Sequence, residues 1–166
     1  MAVIFERVAL LGIGLIASSI ALGARKHGLA GSIAGHARTV ETRATALELG
    51  LCDQVYASAA EAVKDADLVI FCVPIGAMAA MAKEIAPHLK PGAVLTDVGS
   101  VKKAVIDAIG PYVPGGVEFI PGHPLAGTEH SGPRAGFASL FDNRWCLLTP
   151  LDGTDPDALA RLVAFW

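Results

Sequence analysis

A chain of 166 residues falls in the range of one domain and is long enough to bury a sizeable core. Hydrophobic residues make up 53% of it and charged residues 17%, a balance that excludes a disordered chain. The net charge is -3 and Lys and Arg are scattered, so neither nucleic acid nor an anionic membrane surface is an expected partner; a small-molecule ligand is.

The N-terminus carries no basic stretch followed by a long apolar one, and no later run reaches the roughly 18 uninterrupted apolar residues of a spanning helix, so a cytoplasmic location is expected. Cys52, Cys72 and Cys146 lie far apart without metal-ligand spacing and are expected to be reduced, mostly buried thiols, with no metal. Apolar runs of strand length alternate with helical patterns, which predicts an α/β fold around a doubly wound, mostly parallel sheet. Val8 to Leu11 is the first strand, followed by a glycine turn and a helix over 15–26 that Gly28 terminates. A strand over 32–35 leads to a helix over 40–49, and Gln54-Val55-Tyr56 reads as a short strand. Leu68 to Val73 has no polar residue, as expected of a central parallel strand covered on both faces, and Pro74 ends it. A helix to about Ile85, a strand over 93–97 and a helix over 101–109 follow. The remaining strands are placed at 118–120 and 145–149, on either side of a long irregular stretch, 122–143, of the kind that usually carries function. The last segment, 155–166, reads as a helix started by Asp155 and Pro156 whose final Phe165 and Trp166 are expected to be uncovered, as at the start of a connection onward; residues 1–154 form the dinucleotide-binding domain.

Gly12-Ile13-Gly14-Leu15-Ile16-Ala17 stands between a strand and a helix, the setting in which G-x-G-x-x-A binds a dinucleotide. Gly12 serves the tight turn, Gly14 leaves room for a pyrophosphate at the backbone, and Ala17 lets helix and strand pack closely. The N-H groups of the first helical turn then face the phosphates. A methyltransferase would use a similar turn, so the turn alone does not specify an oxidoreductase. After the second strand, Gly35-His36-Ala37-Arg38-Thr39 holds no carboxylate for a ribose hydroxyl, and Arg38 suits a 2'-phosphate; NADP is slightly favoured over NAD. His27, His36 and His88 read as surface residues, and Met78 and Met81 as core packing.

Two tracts of the second half lie at strand C-termini, where open α/β sheets bind ligands: Asp97-Val98-Gly99-Ser100-Val101-Lys102 and His123-Pro124-Leu125-Ala126-Gly127-Thr128-Glu129-His130-Ser131-Gly132. With the glycine turn and the Phe71-Cys72-Val73-Pro74 strand end, they make the chain resemble the prephenate/arogenate (cyclohexadienyl) dehydrogenases along essentially its whole length. The resemblance implies a Rossmann-type domain in which Gly12, Ile13, Gly14, Leu15, Ile16, Arg38, Val73 and Pro74 hold NAD or NADP. It implies oxidative decarboxylation of prephenate or arogenate, with His123 accepting the hydroxyl proton, Ser100 positioned beside it, and Thr128 and Glu129 lining the substrate pocket; His130 is given no role. It also implies a further helical dimerisation domain, absent from these 166 residues, and a homodimeric whole protein. Two readings stay open beside it: another two-domain reductase, and a dinucleotide-sensing module without turnover.

Overall fold

A computed structural model describes residues 2–166. In chain order it contains β1 (Phe5–Leu11), α1 (Leu15–His27), β2 (Ala30–His36), α2 (Val40–Glu48), β3 (Gln54–Tyr56), α3 (Ala59–Ala62), β4 (Leu68–Phe71), α4 (Ile75–Ile85), β5 (Val94–Asp97), α5 (Lys102–Ile109), β6 (Glu118–Phe119), β7 (Gly122–Pro124), β8 (Cys146–Leu148) and α6 (Pro156–Phe165). β1 to β6 form one parallel sheet of order β3-β2-β1-β4-β5-β6. The chain winds outward one way from β1 and then, beginning with β4, the other way, so the switch point lies between β1 and β4.

The uniform apolarity of the central strands follows from this winding, because both faces of the sheet are covered. Along β1, Val8 and Leu10 join a core with Ile20 of α1, Ile33 of β2 and Leu162 of α6, whereas Ala9 and Leu11 face Met78 of α4 and Val105 of α5. Full burial of each large aliphatic side chain contributes about 1.5–3 kcal/mol, so both layers are needed to hold the sheet. α1 ends where expected: Gly28 takes the left-handed conformation (φ 64°) and its N-H returns to Ala24 O and Arg25 O.

Four sequence expectations are corrected. The strand near 145–149 is not part of the main sheet, since β8 pairs antiparallel with β7, and the stretch expected to be irregular from residue 122 therefore opens with a strand. α3 has no counterpart in the sequence reading; its single turn is too short to show a period, although Ser58 accepts the N-H of Glu61 as its cap. The final helix is covered rather than bare: Leu162 and Phe165 are buried, Phe165 meets the ring of Phe5 edge-on at 5.8 Å, and Trp166 meets Phe141 at 5.5 Å. His36 is buried, not on the surface, with 6% of its area exposed. Met78 is buried as expected, and Met81 packs against the same core while one side of it lines a cleft. All three cysteines are free thiols. No helix among the described residues is long and apolar enough to cross a membrane.

Candidate functional site at the switch point

At the C-terminal ends of β1 and β4 two clefts adjoin, sharing Gly14, Cys72, Val73 and Pro74 as a common wall. The turn between β1 and α1 shapes that wall. Gly12 has φ 90°, and a Cβ built on it would stand 2.7 Å from Val73 Cγ1 and 2.9 Å from Cys72 O, so only glycine lets the turn pass this close to the end of β4. Gly14 precedes α1, and nothing lies within 4 Å of a Cβ built there. Open space thus stands above the start of a 13-residue helix whose first N-H groups have no partner within the helix. That is the room and the donor set a pyrophosphate requires.

The first cleft, about 360 Å³, runs toward β2. Gly12, Ile13, Gly14, Arg38, Val73 and Pro74 of the expected cofactor set line it. Arg38 is exposed at its rim, and its backbone is held because Arg43 Nη1 donates to Ala37 O at 2.7 Å and to Arg38 O at 2.9 Å. His36, Thr39, Thr42, Ala77 and Met81, which sequence reasoning did not assign to the cofactor, also line this cleft. Thr39 was legible as the cap of α2, where its hydroxyl accepts the N-H of Thr42; the helical positions of Ala77 and Met81 carried no such signal.

The second cleft, about 480 Å³, runs toward β5 and β7. Leu15 and Ile16 line it, and it brings together Ser100 and His123, which are 23 positions apart in sequence but share this wall. No hydrogen bond joins their side chains among the described residues. Thr128 and Glu129 do not line this cleft. Glu129 is largely exposed and lies 3.4 Å from His130 Nε2, while Thr128 Oγ1 accepts the His130 N-H at 3.1 Å. His130, Ser131 and Gly132 take the lining position instead.

Beneath His123 lies a buried ion pair. Asp97, fully buried at the end of β5, accepts from Lys102 Nζ, from Gly99 N at 2.8 Å and from Gly122 N at 3.0 Å. Lys102 also donates to Gly122 O. A carboxylate and an ammonium thus grip both backbone groups of the residue preceding His123. Gly122 fits there because it has no side chain: a Cβ would stand 2.9 Å from Asp97 O and 3.0 Å from Thr96 Oγ1. Cys72 shares the common wall, but burial, reinforced by the Asp97 charge, pushes its thiol well above the ordinary range; Cys146 opposite β7 is raised to about 11, chiefly by burial. At neutral pH both are thiols rather than thiolate nucleophiles.

A glycine turn at the switch point of a doubly wound parallel sheet, with a cleft on either side of it, defines a dinucleotide-binding domain. The sequence model described as "Prephenate dehydrogenase, nucleotide-binding domain" matches residues 20–166, and the chain belongs to the prephenate dehydrogenase family. It is 40% identical to the cyclohexadienyl dehydrogenase of Zymomonas mobilis over 98% of its own length and 55% of that protein. Among solved structures, the arogenate dehydrogenase of Synechocystis superposes with a TM-score of 0.87 at 33% identity, covering 96% of this chain and 55% of that one. The prephenate dehydrogenase of A. aeolicus, solved in complex with hydroxyphenyl propionate and NAD+, superposes at 0.83 with 28% identity, covering 97% of this chain and 56% of that one. The chain spans about half the length of the curated relatives it matches.

Proposed function

We propose that this chain is the cofactor-holding part of an enzyme that oxidatively decarboxylates prephenate or arogenate, giving 4-hydroxyphenylpyruvate or tyrosine and carbon dioxide. The observation that carries the reading is the placement of His123 and Ser100 in a cleft that shares a wall with the Gly12–Ala17 turn. A bound nicotinamide supplies the hydride acceptor. In this reading His123 accepts the proton of the ring hydroxyl as the carbon bearing it loses hydride, and Ser100 orients that hydroxyl. The carboxylate on the opposite ring carbon then leaves as carbon dioxide, its electron pair completes the aromatic ring, and the ring oxygen takes back a proton from His123 to give the phenol. Pairing of two whole subunits belongs to the same proposal and rests on the family resemblance. The test is reduction of NAD+ and NADP+ by the whole protein with prephenate and with arogenate: turnover with at least one is expected, and reduction with neither overturns the proposal.

Gly14→Val probes the phosphate site. The space above Gly14 is open, so the sheet is expected to fold, while the valine occupies the room a pyrophosphate needs. Lost charge-assisted contacts are worth about 1.5–3 kcal/mol each, and calorimetry is expected to read a loss of roughly tenfold or more in cofactor affinity. Unchanged affinity would place the phosphates elsewhere.

We further propose a modest preference for NADP over NAD, supported by the exposed Arg38 at the cleft rim and by the lack of any carboxylate in that lining. A charge-assisted contact with the 2'-phosphate is expected to favour NADP by about tenfold. Arg38→Ala is expected to remove this preference and leave NAD affinity unchanged. Equal affinities in the unmutated protein would show that Arg38 makes no such contact.

A further inference from the structure

His36 closes β2 and is buried to all but 6% of its area, yet it lines the first cleft. Its Nδ1 stands 3.2 Å from the carbonyl oxygen of Tyr56 on β3. A carbonyl can only accept, so Nδ1 carries the proton and, in the neutral ring, Nε2 holds the lone pair. Among the described residues Nε2 has no hydrogen-bond partner, and it is not one of the buried atoms left without one, so it keeps access to the cleft. Around it the cleft divides into two chemistries. Val73, Pro74, Ala77 and Met81 form apolar walls suited to the faces of a flat base, and Arg38 with Thr42 forms a polar rim. Among the described residues no carboxylate lines the cleft to accept a hydrogen bond from a ribose, and the Thr39 hydroxyl is already spent on the cap of α2, donating to Thr42 Oγ1 and accepting from Thr42 N.

We propose that His36 is a nucleoside-reading residue, whose Nε2 accepts a hydrogen bond from an N-H or O-H donor on the adenosine half of the dinucleotide. This rests on the reading of the cleft as the cofactor site. The donor is either the exocyclic amine of the base or the ribose 2'-hydroxyl, and cofactor analogues tell them apart. Calorimetry compares NAD with nicotinamide hypoxanthine dinucleotide, which lacks the amine, and with 2'-deoxy-NAD, which lacks the adenosine 2'-hydroxyl, the position that bears the phosphate in NADP.

The unmutated protein is expected to bind one of the two analogues about three- to tenfold more weakly than NAD, the size of one net hydrogen bond. His36→Phe, which keeps a flat ring without an acceptor, is expected to bind NAD as weakly as that analogue and to stop distinguishing the two. His36→Gln, which restores an acceptor, is expected to recover the discrimination. Equal binding of NAD and both analogues by the unmutated protein overturns the proposal with no variant needed. So does undiminished discrimination by a His36→Phe protein whose thermal unfolding shows it folded. Failure of the unmutated protein to bind any dinucleotide overturns instead the cofactor reading on which this rests.

Discussion

Replacing His123 with Asn in the whole enzyme is expected to slow hydride transfer by about a hundredfold to ten-thousandfold, the range of general-base contributions. Asn keeps a polar side chain of similar reach and removes the group that can take a proton near neutral pH. The backbone at this position is fixed independently of the side chain, because β7 pairs His123 with Leu147 and the preceding Gly122 is held by Asp97 and Lys102. The substitution is therefore expected to act on chemistry rather than on the shape of the cleft. Cofactor affinity should change little, since the phosphates are expected at the backbone N-H groups of the Gly12–Ala17 turn, which β1 and α1 build without the His123 side chain. The acid side of the pH profile is a second check: activity falls as the imidazole protonates, and the Asn variant should lack that limb. Near-normal turnover with the limb intact would identify another residue as the base.

The second large effect is expected at Lys102. Lys102→Met leaves Asp97 fully buried with two backbone donors but without its counter-charge. Breaking a buried ion pair from one side costs about 3–5 kcal/mol, because the remaining charge stays uncompensated. For a domain of this size each kcal/mol lowers the thermal midpoint by about 2–4 °C, so a drop of roughly 6–20 °C is expected by calorimetry or circular dichroism. The double variant Asp97→Asn with Lys102→Met removes both charges and should recover part of this loss. A destabilisation under about 1 kcal/mol would show that the pair contributes little to the fold. A folded Lys102→Met protein should also turn over more slowly than its folded fraction predicts, since the same ammonium holds Gly122 O beside His123.

The parts of the site legible in the sequence are those whose chemistry is local. Gly12 and Gly14 are recognisable because a tight turn and an approach to the backbone exclude side chains at fixed offsets, and the structure shows the left-handed backbone at one and open space at the other. Ser100 and His123 were found through two tracts that resemble a known family, His123 in the second of them, and the fold places both in one cleft. Thr128 and Glu129 came from the same tract but lie outside that lining, because the loop turns at Thr128 and presents His130 instead. Nothing in the spacing of the tract foretells that turn.

By itself the sequence determined the fold class, the positions of most strands and helices, and the glycine turn, since hydrophobic period, capping residues and backbone sterics act over a few neighbours. Only the tertiary structure decided where β8 pairs, that α6 is covered by Phe5 and Phe141, that His36 is buried yet lines a cleft, and that Asp97 and Lys102 clasp Gly122. Each of these joins segments far apart in the chain; Asp97 and Gly122 are 25 residues apart and His36 and Tyr56 are 20 apart. Such contacts are set by the order and register in which the strands stack, and a buried polar group takes whatever partner that stacking brings within reach.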